Sequence, residues 1–195
     1  MRYPRYLQSI ISKTCFTAGK MAFVSGPRQC GKTTMAKTLL KKRKAGAYYN
    51  WDETTFRKLW TKNPALILPT LKKTKSLILL DELHKAKLWK RNLKGLYDTQ
   101  QGLHDILVTG SARLNVYKKG GDSLLGRYYH FRLHPFSVAE LLKEAEALLP
   151  DQLIKAIFHA QPEHSKKAER YFEQLLKFGP FPEPLFSANK NTFIF

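Results

Sequence analysis

Short apolar runs alternate with segments of helical periodicity along most of the chain. The apolar runs are typical of strands buried on both faces of a parallel sheet, and they occupy residues 21–25, 77–80 and 106–108. The segments between them repeat apolar residues at helical spacing, around residues 32–40, 54–60 and 88–100. Two weaker strand patterns lie at 47–51 and 128–133. This alternation predicts an α/β fold with a parallel central sheet.

Helical patterns also precede and follow the alternating region. Residues 5–18 carry one apolar stripe, and Gly19 suits the end of a helix there. After about residue 136 the patterns are helical only, over 138–149, 151–159 and 163–178. Ser137 is the predicted cap of the first of these helices, with Glu140 at the capping-box spacing. The change to helices alone predicts a small helical lid.

The predicted organisation has three parts. Residues 1–136 form the core with its leading helix, residues 137–178 form the lid, and residues 179–195 form a connector that begins with a proline-rich segment. Within the core, Asp52 falls where the helix over 54–60 needs an N-cap, and this role is favoured over one in an active site.

Length and composition fit one sizeable folded domain. The chain has 195 residues, of which 43% are hydrophobic, and no apolar run approaches the length of a membrane span or forms a secretory leader. Its two cysteines, Cys15 and Cys30, are too few for a disulfide framework. We therefore expect a cytoplasmic protein without a membrane segment.

One segment carries a specific chemical signal. Gly26 to Thr33 fits the phosphate-binding template G-x-x-x-x-G-K-[ST], and it lies between a predicted strand and a predicted helix, as the template requires. The backbone N–H groups of such a loop converge on phosphate oxygens, while the lysine reaches the β- and γ-phosphates. The predicted nucleotide-binding residues are Gly26, Pro27, Arg28, Gln29, Cys30, Gly31, Lys32, Thr33 and Thr34. Cys30 is interpreted as a small filler rather than a redox brake.

Two acids follow the apolar run at 77–80. Asp81 and Thr33 are the predicted Mg²⁺ ligands, and Glu82 is predicted to orient the water that attacks the γ-phosphate. The carboxyl ends of parallel strands meet at one edge of a sheet, so the acids and the loop can share one crevice. The next strand ends near Ser111, whose hydroxyl can contact the water or the γ-phosphate.

The charge balance adds a possible partner. The net charge of +19 raises the local concentration of polyanions and favours nucleic acid or an acidic partner, although a generic basic surface explains it equally well.

Four motifs in order resemble a known family: GPRQCGKTT, LILLDELHK, VTGSARLN and SLLGRYYHFRLHPFSVAELL. The chain is similar to prokaryotic predicted AAA+-type P-loop ATPases whose C-terminal half is a separate domain. The resemblance implies a three-layer sandwich with five parallel strands, in which the strand before Ser111 lies between the loop strand and the acid strand. It also implies that this sequence lacks the further domain, so residues 179–195 lead to a missing part.

The resemblance also brings in Arg127. Such ATPases place a charge-stabilising arginine near this Gly-Arg step, often acting across a subunit boundary, so Arg127 joins Glu82 and Ser111 as a predicted catalytic residue. An equally weighted alternative is that Arg127 anchors its turn to an acidic neighbour.

The leading functional prediction is an ATP-binding, Mg²⁺-dependent ATPase that hydrolyses ATP to ADP and phosphate to drive a conformational change. It would act on a partner protein or on the missing domain, and the chain could assemble as a homo-oligomer. Two alternatives stay open: a small-molecule P-loop kinase, and a nucleic-acid-binding protein that uses ATP as a structural switch.

Overall fold

A computed structural model describes residues 3–69, 75–100, 102–111, 124–143 and 165–187. Within these ranges the strands are β1 (Met21–Ser25), β2 (Gly46–Asn50), β3 (Ser76–Asp81), β4 (His104–Thr109) and β5 (Tyr128–Arg132). The α-helices are α1 (Leu7–Ile10), α2 (Lys32–Lys41), α3 (Thr54–Lys62), α4 (Trp89–Thr99), α5 (Val138–Leu142), α6 (Lys166–Phe178) and α7 (Pro182–Ser187). Every predicted strand is therefore present.

The five strands form one parallel sheet in the order β2-β3-β4-β1-β5. The predicted α/β class is confirmed, and β4 lies between β1 and β3, as the family resemblance implied. All residues of the three central strands are buried, whereas β2 and β5 at the edges are partly exposed. The continuous apolar runs thus mark the strands that are covered on both faces.

Side chains alternate between two cores on the two faces of the sheet. Phe23, Ile78 and Leu80 belong to one core, which also contains the buried residues of α3 and α4. Val24 and Leu79 belong to the other, which contains those of α1 and α2. The result is a three-layer arrangement of helix, sheet and helix.

The leading helix changes form along its length. The segment predicted as one helix over 5–18 consists of α1 followed by a π-helical stretch, Ile11–Cys15. Gly19 then adopts a positive φ of 64°, in agreement with its predicted position after the helix.

The C-terminal elements correct two predictions. The capping box of Ser137 and Glu140 is present, but α5 ends at Leu142 instead of 149, because Lys143 takes a left-handed conformation. The helix predicted over 151–159 lies outside the described residues. The segment predicted as a connector also contains a helix, α7. Its Leu185 is 1% exposed and belongs to a third apolar cluster with Phe136 and Leu141.

A buried arginine joins these C-terminal elements to the core. Arg5 is 1% exposed. Its Nε donates to Glu140 Oε1 at 2.8 Å, one Nη donates to Cys30 O at 2.8 Å, and the other Nη donates to His134 O. Its guanidinium also lies 4.1 Å from the ring centroid of Phe136. A guanidinium suits this place because it supplies five donors in a fixed plane.

The burial of this ion pair leads to a stability prediction. We expect Arg5→Ala to lower the free energy of unfolding by about 3–5 kcal/mol, since it leaves the Glu140 carboxylate buried without its cation. Urea denaturation of the two chains measures the difference. Arg127→Ala is the matched control, because its pair with Asp98 is exposed and should contribute little. Equal losses in the two variants would contradict the prediction.

Candidate functional site

The predicted loop and acids lie at the same edge of the sheet. The loop follows the last residue of β1, Asp81 ends β3, and Thr109 ends β4, where its Cα is in register with those of Asp81 and Val24. This edge holds the carboxyl ends of the strands, where α/β proteins bind ligands.

Two glycines allow the loop to adopt its conformation. Gly26 has a φ of 157°, and a Cβ there would lie 2.3 Å from the backbone oxygen of Leu133. Gly31 has a φ of 94° and immediately precedes α2. Neither position accepts a side chain without strain. The loop therefore leads directly into a helix N-terminus, whose first N–H groups have no intrahelical partner.

Lys32 is held against the loop. Its side chain is buried, and Nζ donates to Gly26 O at 3.1 Å and to Pro27 O at 2.6 Å. Cys30 is also buried, with its Sγ 3.6 Å from Leu133 O, which agrees with its interpretation as a filler.

A cavity of about 370 Å³ opens beside the loop. Most of the predicted nucleotide-binding residues line it, namely Arg28, Gln29, Gly31, Lys32, Thr33 and Thr34. Glu82 lies on its wall as well. Pro182 and Glu183 of α7 complete the lining, which the sequence analysis did not foresee. Nothing in the proline-rich pattern marked those residues as part of a site.

Asp81 is the centre of a network of hydroxyl groups. Its carboxylate accepts hydrogen bonds from Thr33 Oγ1 at 2.7 Å, from Tyr48 Oη at 3.2 Å and from Thr109 Oγ1. The residue is only 4% exposed. Burial and the neighbouring carboxylate raise the pKa of Tyr48, so its hydroxyl keeps its proton and remains a donor. Sequence reasoning missed Tyr48, since nothing distinguishes it from other strand tyrosines.

Thr33 and Asp81 fit the predicted magnesium site. Both supply oxygen, the ligand type that Mg²⁺ prefers, and their oxygens already lie 2.7 Å apart. Among the described residues no group of three or more His, Cys, Asp or Glu side chains is arranged to hold a metal. Two protein oxygens suit an ion that completes its shell with phosphate oxygens and water.

Glu82 and Ser111 both lie near this network. Glu82 has a left-handed backbone with a φ of 56°, its N–H donates to Thr109 O at 2.9 Å, and its side chain is 26% exposed. Ser111 Oγ lies 3.4 Å from Nε2 of His84, and the same nitrogen lies 3.8 Å from Glu82 Oε2. His84 therefore lies between the two predicted catalytic residues.

Arg127 does not join them. It precedes β5, and its carbonyl accepts the N–H of Met21, so it lies beyond the opposite edge of the sheet from the loop. Six residues of extended chain separate the level of Arg127 from the start of the loop, a distance of about 20 Å. Arg127 forms a two-point pair with Asp98, at 2.7 and 3.1 Å. Arg127 therefore lies too far from the loop of its own chain to contact it, and its pair with Asp98 matches the alternative of an anchored turn. A role in the site of a neighbouring copy stays a prediction.

The predicted cap also needs correction. Asp52 does not cap α3, whose N-cap is Glu53 without a side-chain bond. Instead, both Asp52 oxygens accept from Lys85 Nζ at 2.8 Å. Asp52 therefore pairs with a lysine of the turn that follows Glu82.

Comparisons with known proteins show the family and the fold of the chain. A family model described as an AAA domain matches residues 18–142, more than half of the chain. A Walker-type ATPase of Pyrococcus abyssi is similar in structure, with a TM-score of 0.51 and 14% identity over 94% of this chain and 65% of that one. This likeness shows the fold. The comparison with curated proteins found no match.

Two other solved structures are more distant. The C. elegans PCH-2 structure has a TM-score of 0.46 and 14% identity, covering 96% of this chain and 63% of that one. The Aeropyrum pernix ORC1 protein in complex with DNA has a TM-score of 0.48 and 16% identity, covering 95% and 63%. This chain thus spans 63–65% of the length of the three solved chains. None of its described helices has the length and apolar character that a bilayer span requires.

The burial of both thiols gives a prediction about Cys30. Burial raises the pKa of Cys15 to about 12, and Cys30 is 0% exposed. We expect neither thiol of the native chain to react with a disulfide reagent at pH 8 within minutes, because the reagent needs an accessible thiolate. Both should react at once in concentrated urea. Rapid labelling of native Cys30, located by peptide mapping, would instead favour the redox-brake interpretation.

Proposed function

Because the chain belongs to the AAA domain family, we propose that it binds ATP with Mg²⁺ and hydrolyses it to ADP and phosphate. The observation that carries this proposal is the 2.7 Å contact between Thr33 Oγ1 and Asp81 Oδ2 beside the loop. Glu82 lines the cavity next to this contact. A phosphate loop, a carboxylate for the ion and a second carboxylate for water are the parts that nucleotide hydrolysis needs.

The loop binds the triphosphate through its backbone. The N–H groups from Arg28 to Thr33 and the positive end of α2 favour phosphate oxygens. An ammonium has three N–H donors, and two of those on Lys32 are directed at loop carbonyls. The third can reach a β- or γ-phosphate oxygen while the other two keep the side chain in place.

Thr33 and Asp81 would hold Mg²⁺, which supplies positive charge to the β- and γ-phosphate oxygens. Tyr48 and Thr109 keep the Asp81 carboxylate at this wall by donating to it. Their hydroxyls would thus orient the Asp81 carboxylate toward Mg²⁺.

Glu82 would act on the attacking water. Its carboxylate accepts a proton while the water oxygen bonds to the γ-phosphorus, and the bond to the bridging oxygen breaks to release ADP. Its backbone has a left-handed conformation, and its side chain lines the cavity. Ser111 would contact the γ-phosphate and report its presence.

The nucleotide state can reach the C-terminal helices. Pro182 and Glu183 of α7 line the same cavity, and Arg5 joins the loop carbonyl of Cys30 to Glu140 of α5. We propose that residues 137–178 act as a lid and that closure over the phosphates moves α7. The moving part would act on a partner protein or a further domain in the cytoplasm. Arg127 is exposed enough to serve the site of a neighbouring copy.

Hydrolysis is tested by measuring ATP binding and phosphate release together. We expect Lys32→Ala to lose ATP affinity and Glu82→Gln to keep it, with phosphate release lowered about 100-fold or more in both. Fluorescent ATP titration and a coupled phosphate assay provide the measurements. Release without any added acceptor also separates an ATPase from a small-molecule kinase.

The control for this experiment lies on the same helix. Lys41 is an exposed lysine at the end of α2, and Lys41→Ala should bind and hydrolyse ATP like the unaltered chain. Unchanged ATP binding by Lys32→Ala would remove the loop from the proposal. Unchanged turnover by Glu82→Gln would remove only the role given to that residue.

The charge of +19 supports nucleic-acid binding as a second function. Affinity for a short duplex should then fall steeply and linearly on a log–log plot against salt, because each phosphate contact releases counterions. A flat plot would exclude this function. Nucleic acid that accelerates phosphate release would unite the two proposals.

A further inference from the structure

His84 lies on a turn that is anchored by a buried residue and by a backbone hydrogen bond. The 3₁₀ turn Leu83–Lys85 follows Glu82, and Leu83 is 0% exposed in the core beneath it. The N–H of Lys85 donates to Glu82 O at 3.1 Å. Lys85 Nζ donates to both carboxylate oxygens of Asp52 at 2.8 Å. The burial of Leu83 and the backbone hydrogen bond of Lys85 thus hold the backbone on either side of the imidazole in place.

The imidazole lies between the two predicted catalytic side chains. Nε2 is 3.4 Å from Ser111 Oγ and 3.8 Å from Glu82 Oε2. The first distance is that of a long hydrogen bond, and the second is slightly beyond one. Such bonds are often long in a ligand-free site and shorten when the substrate is bound. A small movement of the Ser111 or Glu82 side chain would bring His84 Nε2 within hydrogen-bond distance of it.

The protonation of the ring is constrained by its surroundings. Burial lowers the pKa of His84, with Lys85 and Lys32 adding to this effect while Glu82 opposes it. The imidazole is thus neutral near pH 7, and the contact with Glu82 is not an ion pair. Nδ1 is buried without a hydrogen-bond partner among the described residues. A buried lone pair costs less than a buried N–H, so the proton belongs on Nε2.

From this geometry we propose that His84 is a positioning residue for Glu82, and that Ser111 acts on Glu82 through it. The proposal rests on the proposed function. The Nε2–H group donates either to the Glu82 carboxylate or to the Ser111 oxygen. When the Ser111 hydroxyl donates its own hydrogen to a γ-phosphate oxygen, its oxygen accepts from His84. The imidazole then sets the side-chain conformation of Glu82 according to the occupancy of the γ-phosphate position.

The test separates this role from a structural one. We expect His84→Ala to lower kcat about tenfold or more with KM changed less than about threefold, since the substrate binds to the loop and only the water-activating carboxylate loses its orientation. His84→Gln should recover most of the rate, because its amide N–H can make the same bridge. Thermal melting and ATP titration of each variant show that the fold and the loop are intact.

Two comparisons complete the experiment. In the His84→Ala background, Ser111→Ala should cost much less than it costs alone, because the two residues act as one unit. His134→Ala removes an exposed histidine away from the cavity and should leave the rate unchanged. A normal kcat in His84→Ala, or additive losses in the double variant, would overturn the inference while leaving ATP hydrolysis in place. An unaltered chain that binds ATP but releases no phosphate would overturn the proposed function, and this inference with it.

Discussion

The geometry of the cavity edge depends on one buried carboxylate. Asp81 accepts hydrogen bonds from hydroxyls on β2, β4 and α2, so it joins three elements that are far apart in sequence. Because Asp81 is only 4% exposed, each donor offsets part of the cost of burying its charge. The same bonds fix the distance between the phosphate loop and the end of β3. The sheet thus aligns the strand ends, and Asp81 connects them.

A second buried charge extends this arrangement to the C-terminal helices. Arg5 contacts a carbonyl of the phosphate loop, the backbone after β5 and the capping carboxylate of α5. Buried hydrogen bonds of Arg5 therefore join the loop directly to α5. Glu140 has two tasks here, because it also completes the capping box with Ser137. The first turn of α5 therefore contains the carboxylate that accepts the hydrogen bond from Arg5.

Much of the fold could be predicted because it depends on local patterns. Uniform apolar runs identified β1, β3 and β4, and the glycines of the loop specified its turn. The missed features depend on contacts between distant residues. Tyr48 is an ordinary strand tyrosine until the register of β2 and β3 brings it to Asp81. Proline-rich sequence likewise indicated a connector, although packing of Leu185 makes α7 part of the wall of the cavity.

The placement of Arg127 follows from the parallel topology. A residue before β5 lies at the amino edge, so no side-chain rotation brings it to a loop that follows β1. The cavity itself is lined by two cations, Arg28 and Lys32, and by two carboxylates, Glu82 and Glu183, which balance each other. A bound triphosphate would add several negative charges to this neutral set. Among the residues that the structure describes, the backbone of the loop and a divalent ion would therefore supply most of the compensation for such a ligand.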